Sequence, residues 1–121
     1  MSSILIIDDD AQILKMLRQI LEREKYHVTE ASNGKEGLRR YRENPADLVI
    51  TDIIMPEKEG IEIIIELKRD YPDVKIIAIS GGGRINPDDY LDIAKKLGAN
   101  RIFAKPVERK ELLNAVQELL G

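Results

Sequence analysis

Acidic, hydroxyl and ammonium side chains follow four short apolar runs of this sequence. In chain order they are Asp8, Asp9 and Asp10, then Thr51 and Asp52, then Ser80, and last Lys105. Carboxylates gathered at one place repel each other, by roughly 4 kcal/mol for two charges about 4 Å apart at an effective dielectric constant of about 20. A hard divalent cation removes this repulsion, and oxygen ligands without His or Cys suit Mg²⁺ or Mn²⁺ better than Zn²⁺.

These residue types also suit phosphoryl chemistry. A cation beside Asp52 would bridge this carboxylate and an incoming phosphoryl group, and it would neutralise the charge that develops during transfer. Lys105 would serve as a fixed countercharge, and the Ser80 hydroxyl would donate a hydrogen bond to a phosphoryl oxygen. The residue types alone therefore predict a carboxylate that accepts a phosphoryl group.

Each of these residues also has a purely structural interpretation. Asp10 directly precedes a helical pattern that begins at Ala11, so we expect it to be the N-cap of that helix rather than a metal ligand. The remaining residues would then be polar groups that close strands, form turns or lie at the surface: Asp8, Asp9, Asp52, Ser80 and Lys105. Their coincidence at four strand ends favours the functional interpretation.

Short β-rich runs alternate with longer segments whose apolar residues recur at helical spacing. The five β-rich runs are residues 4–7, 26–29, 48–50, 74–79 and 101–104, the second being weak as in an edge strand. This alternation predicts a parallel, doubly wound sheet with right-handed crossovers and helices on both faces. In such a sheet the functional crevice lies at the carboxyl ends of the strands. Asn86 before Pro87 indicates the start of the fourth helix, and Gly98 indicates its end.

Composition limits the class of protein. The chain has 121 residues, 19 basic and 22 acidic, which gives a formal charge of −3, and it has no Cys. This length predicts one domain, and the lack of Cys excludes disulfides and thiolate metal sites. No apolar run approaches the roughly 18 residues of a membrane span, and no leader precedes the acidic run that starts at Asp8. We therefore expect a cytoplasmic domain that binds neither membrane nor nucleic acid.

Five segments, in this order along the chain, carry a family resemblance: ILIIDDD, NGKEGL, PADLVITDIIMPEKEG, IIAISG and FAKPV. With them the whole chain resembles the receiver domains of response regulators in two-component signalling, the CheY-like family. The resemblance implies an α/β fold, (βα)5, with a doubly wound, five-stranded parallel sheet in the flavodoxin-like order 2-1-3-4-5. Since the resemblance covers the whole chain and its 121 residues leave room for one domain, we expect a single receiver domain over residues 1–121 that acts without an output domain.

The resemblance implies a Mg²⁺ site, which Mn²⁺ could also occupy. Asp9, Asp52 and the backbone carbonyl of Ile54 would coordinate the ion directly, and Asp8 would act mainly through a water molecule. Asp52 would be the phosphoacceptor. Ser80 would take the hydroxyl position that moves toward the phosphoryl group.

The resemblance also gives Lys105 the position that pairs with the phosphoryl group, and it implies a cis bond between Lys105 and Pro106. The phosphoryl donor would be the phosphohistidine of a sensor histidine kinase or phosphotransfer protein. A downstream protein would read the face built from helix 4, strand 5 and helix 5, through which members of the family often form homodimers. The chain would not be an enzyme, although it takes part in its own phosphotransfer and autodephosphorylation.

The sequence departs from the family pattern in three places: Ile54 is apolar where other members often carry polar groups, the segment from Ser80 to Lys105 is a few residues longer than usual and begins with three glycines, and the third departure is at the switch position. The switch position, three residues before the lysine, usually carries Tyr or Phe but is Ile102 here, and Phe103 comes one residue later. Strand alternation predicts that these two side chains point to opposite faces, so Phe103 cannot simply substitute.

Other functions stay open at this point. A degenerate receiver would bind partners without being phosphorylated, and Ile102 keeps that alternative alive. A phosphatase on the same topology would carry an acid/base carboxylate where Ile54 stands. A flavin carrier would need aromatic side chains to stack on the ring, but the chain has no Trp, four Tyr and one Phe. Both enzyme alternatives fit the sequence poorly.

Overall fold

The computed structural model describes residues 2–53, 60–80, 92 and 95–121. Within these residues, five parallel strands form one sheet in the order β2-β1-β3-β4-β5. The strands are β1 (Ser3–Ile7), β2 (His27–Ala31), β3 (Leu48–Asp52), β4 (Ile76–Ser80) and β5 (Arg101–Ala104). The predicted doubly wound parallel sheet, its strand order and the edge position of the second strand are confirmed.

Four helices are described: α1 (Ala11–Arg23), α2 (Gly34–Glu43), α3 (Gly60–Asp70) and the C-terminal helix (Arg109–Leu120). Asp10 is the N-cap of α1, as predicted, because its side chain accepts a hydrogen bond from the Gln12 amide. The predicted start of the fourth helix at Asn86 lies outside the described residues. Gly98, predicted to follow the end of that helix, has a φ of 114°, the left-handed conformation that favours glycine at this position.

The sheet separates two apolar cores, as expected from strands with apolar residues on both faces. The core on the side of α2 and α3 contains mainly Leu5, Ile7, Leu38, Tyr41, Val49, Ile53, Ile63, Ile64, Leu67, Val74, Ile76 and Ala78. The core on the side of α1 and the C-terminal helix contains mainly Ile4, Ile6, Leu14, Leu17, Leu21, Val28, Leu48, Ile50, Ile77, Ile79, Leu112 and Val116. These two cores bury the central strand β3 and its neighbours β1 and β4 on both faces.

The strand register brings the polar strand ends to one edge of the sheet. Ile7, the last residue of β1, pairs with Thr51 of β3. Asp52 pairs with Ile79, so Ser80 lies one step further along β4. Ser80 in turn pairs with Ala104 of β5, which directly precedes Lys105 in the chain. The residues singled out in the sequence therefore follow neighbouring strands at the same edge.

None of the described helices combines the length and apolar character that a membrane crossing requires.

Candidate phosphoacceptor site

An ammonium group joins two buried carboxylates at this edge of the sheet. The Nζ atom of Lys105 lies 3.0 Å from Oδ2 of Asp8 and 3.1 Å from Oδ2 of Asp52. The Asp8 and Asp52 residues are only 2% and 5% exposed. The purely structural interpretation places Lys105 at the surface. In the structure its ammonium instead pairs with two buried carboxylates.

Backbone contacts hold the Asp8 side chain in place. The Asp8 amide donates to the carbonyl of Ala31, which extends the contact of β1 with β2 by one residue. The Oδ1 atom of Asp8 accepts a hydrogen bond of 2.9 Å from the Asp10 amide, while its Oδ2 atom faces Lys105. Both carboxylate oxygens of Asp8 are thus engaged by groups of the chain itself.

The charges in this cluster depend on each other. Burial raises the pKa of Asp8 and the negative charge of Asp52 adds to this rise, although hydrogen bonds from Asp10 and Lys105 work in the opposite direction. For Lys105, burial alone would lower the pKa. The negative charges of Asp52 and Asp8 and their hydrogen bonds outweigh burial and raise the Lys105 pKa above its ordinary value. Lys105 is therefore a fixed positive charge across the physiological range.

Three carboxylates of the cluster fit a hard divalent cation. Asp8, Asp9 and Asp52 each offer one oxygen, and these oxygens lie within 4.8 Å of one another. Asp8 and Asp52 are buried, whereas Asp9 is exposed and gives the cluster an open side. One ammonium cannot neutralise three carboxylates, and an all-oxygen ligand set is the kind that Mg²⁺ prefers. Ile54, whose carbonyl the resemblance makes a further ligand, lies outside the described residues.

Ser80 places a hydroxyl group at the neighbouring strand end. Its Oγ atom is fully buried and has no hydrogen-bond partner in the described part of the chain. Its carbonyl accepts a hydrogen bond of 2.8 Å from the Lys105 amide, which ties the end of β4 to the residue after β5. The following bond, between Lys105 and Pro106, is cis as predicted. A buried hydroxyl that lacks an acceptor suits a site for an oxygen-rich group such as phosphoryl.

Comparison with known proteins agrees with this geometry. Residues 4–117 match the sequence profile of the family described as "Response regulator receiver domain". The chain belongs to the receiver domain family. It is 34% identical to the response regulator receiver protein CpdR of Brucella abortus, and the alignment covers 99% of this chain and 98% of CpdR. It is 33% identical to the chemotaxis protein CheY of Halobacterium salinarum, with 97% and 95% of the two chains covered.

Solved structures give the same result for the fold. A receiver domain protein from Clostridium thermocellum superposes on this receiver with a TM-score of 0.91 at 35% sequence identity. The superposition covers 99% of this chain and 94% of the other. The flavodoxin-like receiver fold predicted from the resemblance is thus confirmed, and the chain is a CheY-like receiver of two-component signalling.

Ile102, which the resemblance places at the switch position, lies in β5. Ile102 packs against the core on the side of α2 and α3, whereas Phe103 packs against the core on the side of α1 and the C-terminal helix. The prediction that the two side chains point to opposite faces is therefore confirmed. The ring of Phe103 therefore lies on the other face of the sheet from the Ile102 side chain.

One polar residue at the site has a contact that sequence reasoning missed. Thr51 was noted only as part of the polar end of β3, yet its hydroxyl is buried and donates a hydrogen bond of 2.9 Å to the carbonyl of Asp52. The sequence signal for it was a hydroxyl residue that directly continues the apolar run of residues 48–50, and the structure buries all five residues of this strand. A buried hydroxyl must find a partner, but the sequence does not say which one.

Proposed function

We propose that this receiver accepts a phosphoryl group on Asp52 in a Mg²⁺-dependent reaction. The donor would be a phosphohistidine of a sensor histidine kinase or phosphotransfer protein. The observation that carries the proposal is the Lys105 ammonium, which lies within hydrogen-bond distance of both Asp8 and Asp52 in a buried cluster. Burying these charges lowers the free energy of unfolding, and buried charge clusters of this kind are typical of functional sites. We therefore infer that the cluster binds a cation and an anionic group.

The reaction would be an in-line displacement at phosphorus. A carboxylate oxygen of Asp52 forms the new bond to phosphorus while the bond between phosphorus and the imidazole nitrogen of the donor breaks. The electron pair of the broken bond stays on the imidazole. The product is an aspartyl phosphate, a mixed anhydride that water hydrolyses with time, so the signal resets itself.

The side chains around Asp52 would stabilise charge during this step. Lys105 would shift its hydrogen bond from Asp52 toward a phosphoryl oxygen, since the Asp52 carboxylate loses its negative charge when the anhydride bond forms. The Ser80 hydroxyl would donate to another phosphoryl oxygen and would thereby gain the acceptor that it lacks. The Lys105 ammonium is already in contact with Asp52, whereas the Ser80 hydroxyl would move toward the phosphoryl group.

Asp8, Asp9 and Asp52 are the residues that would hold Mg²⁺ or Mn²⁺. When bound, the ion supplies neutralisation of the charge that the phosphoryl group brings to these carboxylates. The resemblance adds the Ile54 carbonyl as a ligand and gives Asp8 a water-mediated contact, and both roles are part of the proposal. The exposed side of the cluster at Asp9 would admit the ion and the donor.

The phosphorylated site would be read at a protein surface. Phosphorylation adds about −1.5 to −2 charges, and Ser80 and Lys105 connect the site to the ends of β4 and β5. The proposed output surface is the face of the fourth helix, β5 and the C-terminal helix, where a downstream protein or a second copy would bind. The proposed location of this exchange is the cytoplasm.

Intact mass spectrometry tests the proposal. The protein is incubated with acetyl phosphate or phosphoramidate, either with Mg²⁺ or with EDTA. We expect a gain of one phosphoryl group with Mg²⁺ only, absent from Asp52→Asn and retained in the control Asp73→Asn, which alters an exposed carboxylate in a turn. A wild type that gains no mass, or an Asp52→Asn variant that gains as much, would overturn the proposal.

A second candidate function follows from Ile102. Since the usual aromatic switch residue is absent, the chain could act as a degenerate receiver, that is, a protein-interaction module that works without phosphorylation. Partner binding that is equal for wild type and Asp52→Asn, with and without phosphoryl donor, would favour this second function. Binding that changes with phosphorylation would exclude it.

A further inference from the structure

The peptide group that follows Asp52 is held by a side chain. Thr51 Oγ1 donates a hydrogen bond of 2.9 Å to the carbonyl oxygen of Asp52. Thr51 is fully buried, so this bond is shielded from water. Without the bond, the buried carbonyl oxygen of Asp52 would lose a hydrogen-bond donor, which costs free energy. The contact requires a hydroxyl group, because an apolar side chain of the same size has no group that donates a hydrogen bond.

The same carbonyl is confined by the first residue of α3. A Cβ atom added at Gly60 would lie 2.1 Å from the Asp52 carbonyl oxygen and 2.5 Å from the Ile53 Cα atom. Both neighbours are backbone atoms, which cannot rotate away as the end of a long side chain would. Only glycine therefore lets α3 begin this close to the phosphoacceptor.

Two further contacts complete the constraint on Asp52. The amide of Ile53 donates to the carbonyl of Ile79 at 3.0 Å, which holds the next residue against β4. At the other end, Lys105 holds the Asp52 carboxylate at 3.1 Å. Hydrogen bonds from Thr51 and to Ile79 thus hold the backbone after Asp52, and a separate contact with Lys105 holds the Asp52 carboxylate.

We propose that Thr51 and Gly60 are positioning residues for the Asp52 carboxylate: Thr51 holds the peptide group after Asp52, Gly60 leaves this group the space that it occupies, and together they aim the Asp52 side chain for attack on phosphorus. This inference rests on the proposed function and adds to it two residues that touch neither the metal ligand atoms nor the phosphoryl group. In-line attack needs the reacting atoms about 3–3.5 Å apart, and a displacement of about 1 Å can cost about 100-fold in rate.

The test compares variants that differ by one group. Thr51→Val removes the hydroxyl and keeps the shape, whereas Thr51→Ser keeps the hydroxyl. Thr29→Val is the matched control, because Thr29 is a threonine in the middle of the edge strand β2 that pairs with Leu5 and is not part of the carboxylate cluster. Gly60→Ala tests the close approach independently. For each variant the phosphorylation rate is measured against acetyl phosphate concentration, Mg²⁺ affinity is measured by amide chemical shifts, and the melting temperature reports the fold.

We expect Thr51→Val to lower the maximal phosphorylation rate about tenfold and to weaken Mg²⁺ binding several-fold, with little change in the KM for acetyl phosphate. Thr51→Ser should restore both to within about twofold, and Thr29→Val should change neither. Gly60→Ala should lower the maximal rate further than Thr51→Val does. A folded Thr51→Val protein with wild-type rate and Mg²⁺ affinity, or a Thr51→Ser protein as slow as Thr51→Val, would overturn the inference.

Failure of the proposed function would look different. If the wild type binds Mg²⁺ but takes no phosphoryl group, the phosphoacceptor role is wrong. The positioning role is then judged on Mg²⁺ affinity, which must still fall in Thr51→Val and recover in Thr51→Ser. Equal Mg²⁺ affinity in all Thr51 variants would overturn the positioning role as well.

Discussion

The Lys105 ammonium lies 3.0 Å from Oδ2 of Asp8, a residue that is only 2% exposed. The same ammonium contacts Asp52, so it shares two of the three carboxylates that would bind a divalent cation. Lysine and metal therefore compete for the negative charge of one cluster. Their competition gives the most direct predictions about this site.

Replacing Lys105 should strengthen metal binding. In Lys105→Met the carboxylates lose their only nearby ammonium among the described contacts, so their mutual repulsion increases and a divalent cation relieves more of it. We expect the Mg²⁺ dissociation constant, measured by titration calorimetry, to fall several-fold. Lys110→Met, which alters an exposed lysine of the C-terminal helix, should leave it unchanged. An unchanged or weaker affinity in Lys105→Met would contradict the competition.

The raised pKa of Asp8 makes stability depend on pH. Because burial and the Asp52 charge raise this pKa, the folded protein binds the Asp8 proton more tightly than the unfolded chain does. The contribution of Asp8 to the free energy of unfolding therefore falls as pH rises from its ordinary pKa through its raised folded pKa, and ionised Asp8 is destabilising at neutral pH.

Asp8→Asn should accordingly raise the free energy of unfolding at neutral pH in EDTA. This gain should shrink as pH falls through the raised pKa of Asp8, because wild-type Asp8 then becomes neutral too. Urea unfolding of both proteins at a series of pH values measures the difference. A difference that is constant with pH, or a less stable variant at neutral pH, would argue against a destabilising Asp8 charge.

The buried Ser80 hydroxyl should also reduce stability. Its Oγ atom has no partner in the described part of the chain, so Ser80→Ala removes a desolvated polar atom and only a small volume. We expect the free energy of unfolding to rise by about 1 kcal/mol without phosphoryl donor. With Mg²⁺ and the phosphoryl mimic beryllium fluoride, the wild type should gain more stability than the variant. An equal gain would mean that Ser80 does not bind the phosphoryl group.

The Arg18 guanidinium contacts β2, which is one of the two edge strands of the sheet. All three nitrogen atoms of Arg18 are engaged: Nε lies 3.4 Å from Glu22, Nη1 lies 2.8 Å from Glu30, and Nη2 donates to the Val28 carbonyl at 3.1 Å. The His27 amide donates to the carbonyl of Ser2, directly before β1, so the Val28 carbonyl faces the opposite way, toward the open edge. Arg18 therefore ties α1 to an edge that could otherwise pair with another strand.

Arg18→Met should lower the free energy of unfolding by about 0.5–1 kcal/mol, since the group is partly exposed and its ion pairs are screened. It should also increase self-association at high protein concentration, measured by sedimentation velocity. Arg39→Met is the matched control, because Arg39 forms an ion pair with Glu43 on the surface of α2. If the Arg18 and Arg39 variants behave alike, the edge contact has no such role.

The sequence predicted the fold because its signals are local and agree with one another. Apolar runs such as residues 4–7 and 48–50 can be buried on both faces only in a sheet covered by helices, and Asp10 caps the first helix as its position indicates. The gathering of the polar strand ends followed from the topology of a parallel sheet. Action without an output domain stays a prediction.

The details of the site could not be predicted in the same way. The residue types do not predict that Lys105 contacts Asp8 as well as Asp52. That double contact depends on the conformation of the Lys105 side chain across the strand ends. The Thr51 hydroxyl could have bonded to several backbone groups, and the space at Gly60 is set by the position of α3. Contacts of this kind depend on distances of a few tenths of an ångström, which sequence patterns do not carry.

The most direct test of the phosphoacceptor role is to locate the phosphoryl group on the chain. The receiver is treated with acetyl phosphate and Mg²⁺, reduced with borohydride, which converts an aspartyl phosphate to homoserine, and mapped by tandem mass spectrometry. The account predicts homoserine at position 52 alone, and none when EDTA replaces Mg²⁺. Homoserine at another aspartate, or unmodified Asp52 in a protein that has gained a phosphoryl group, would contradict it.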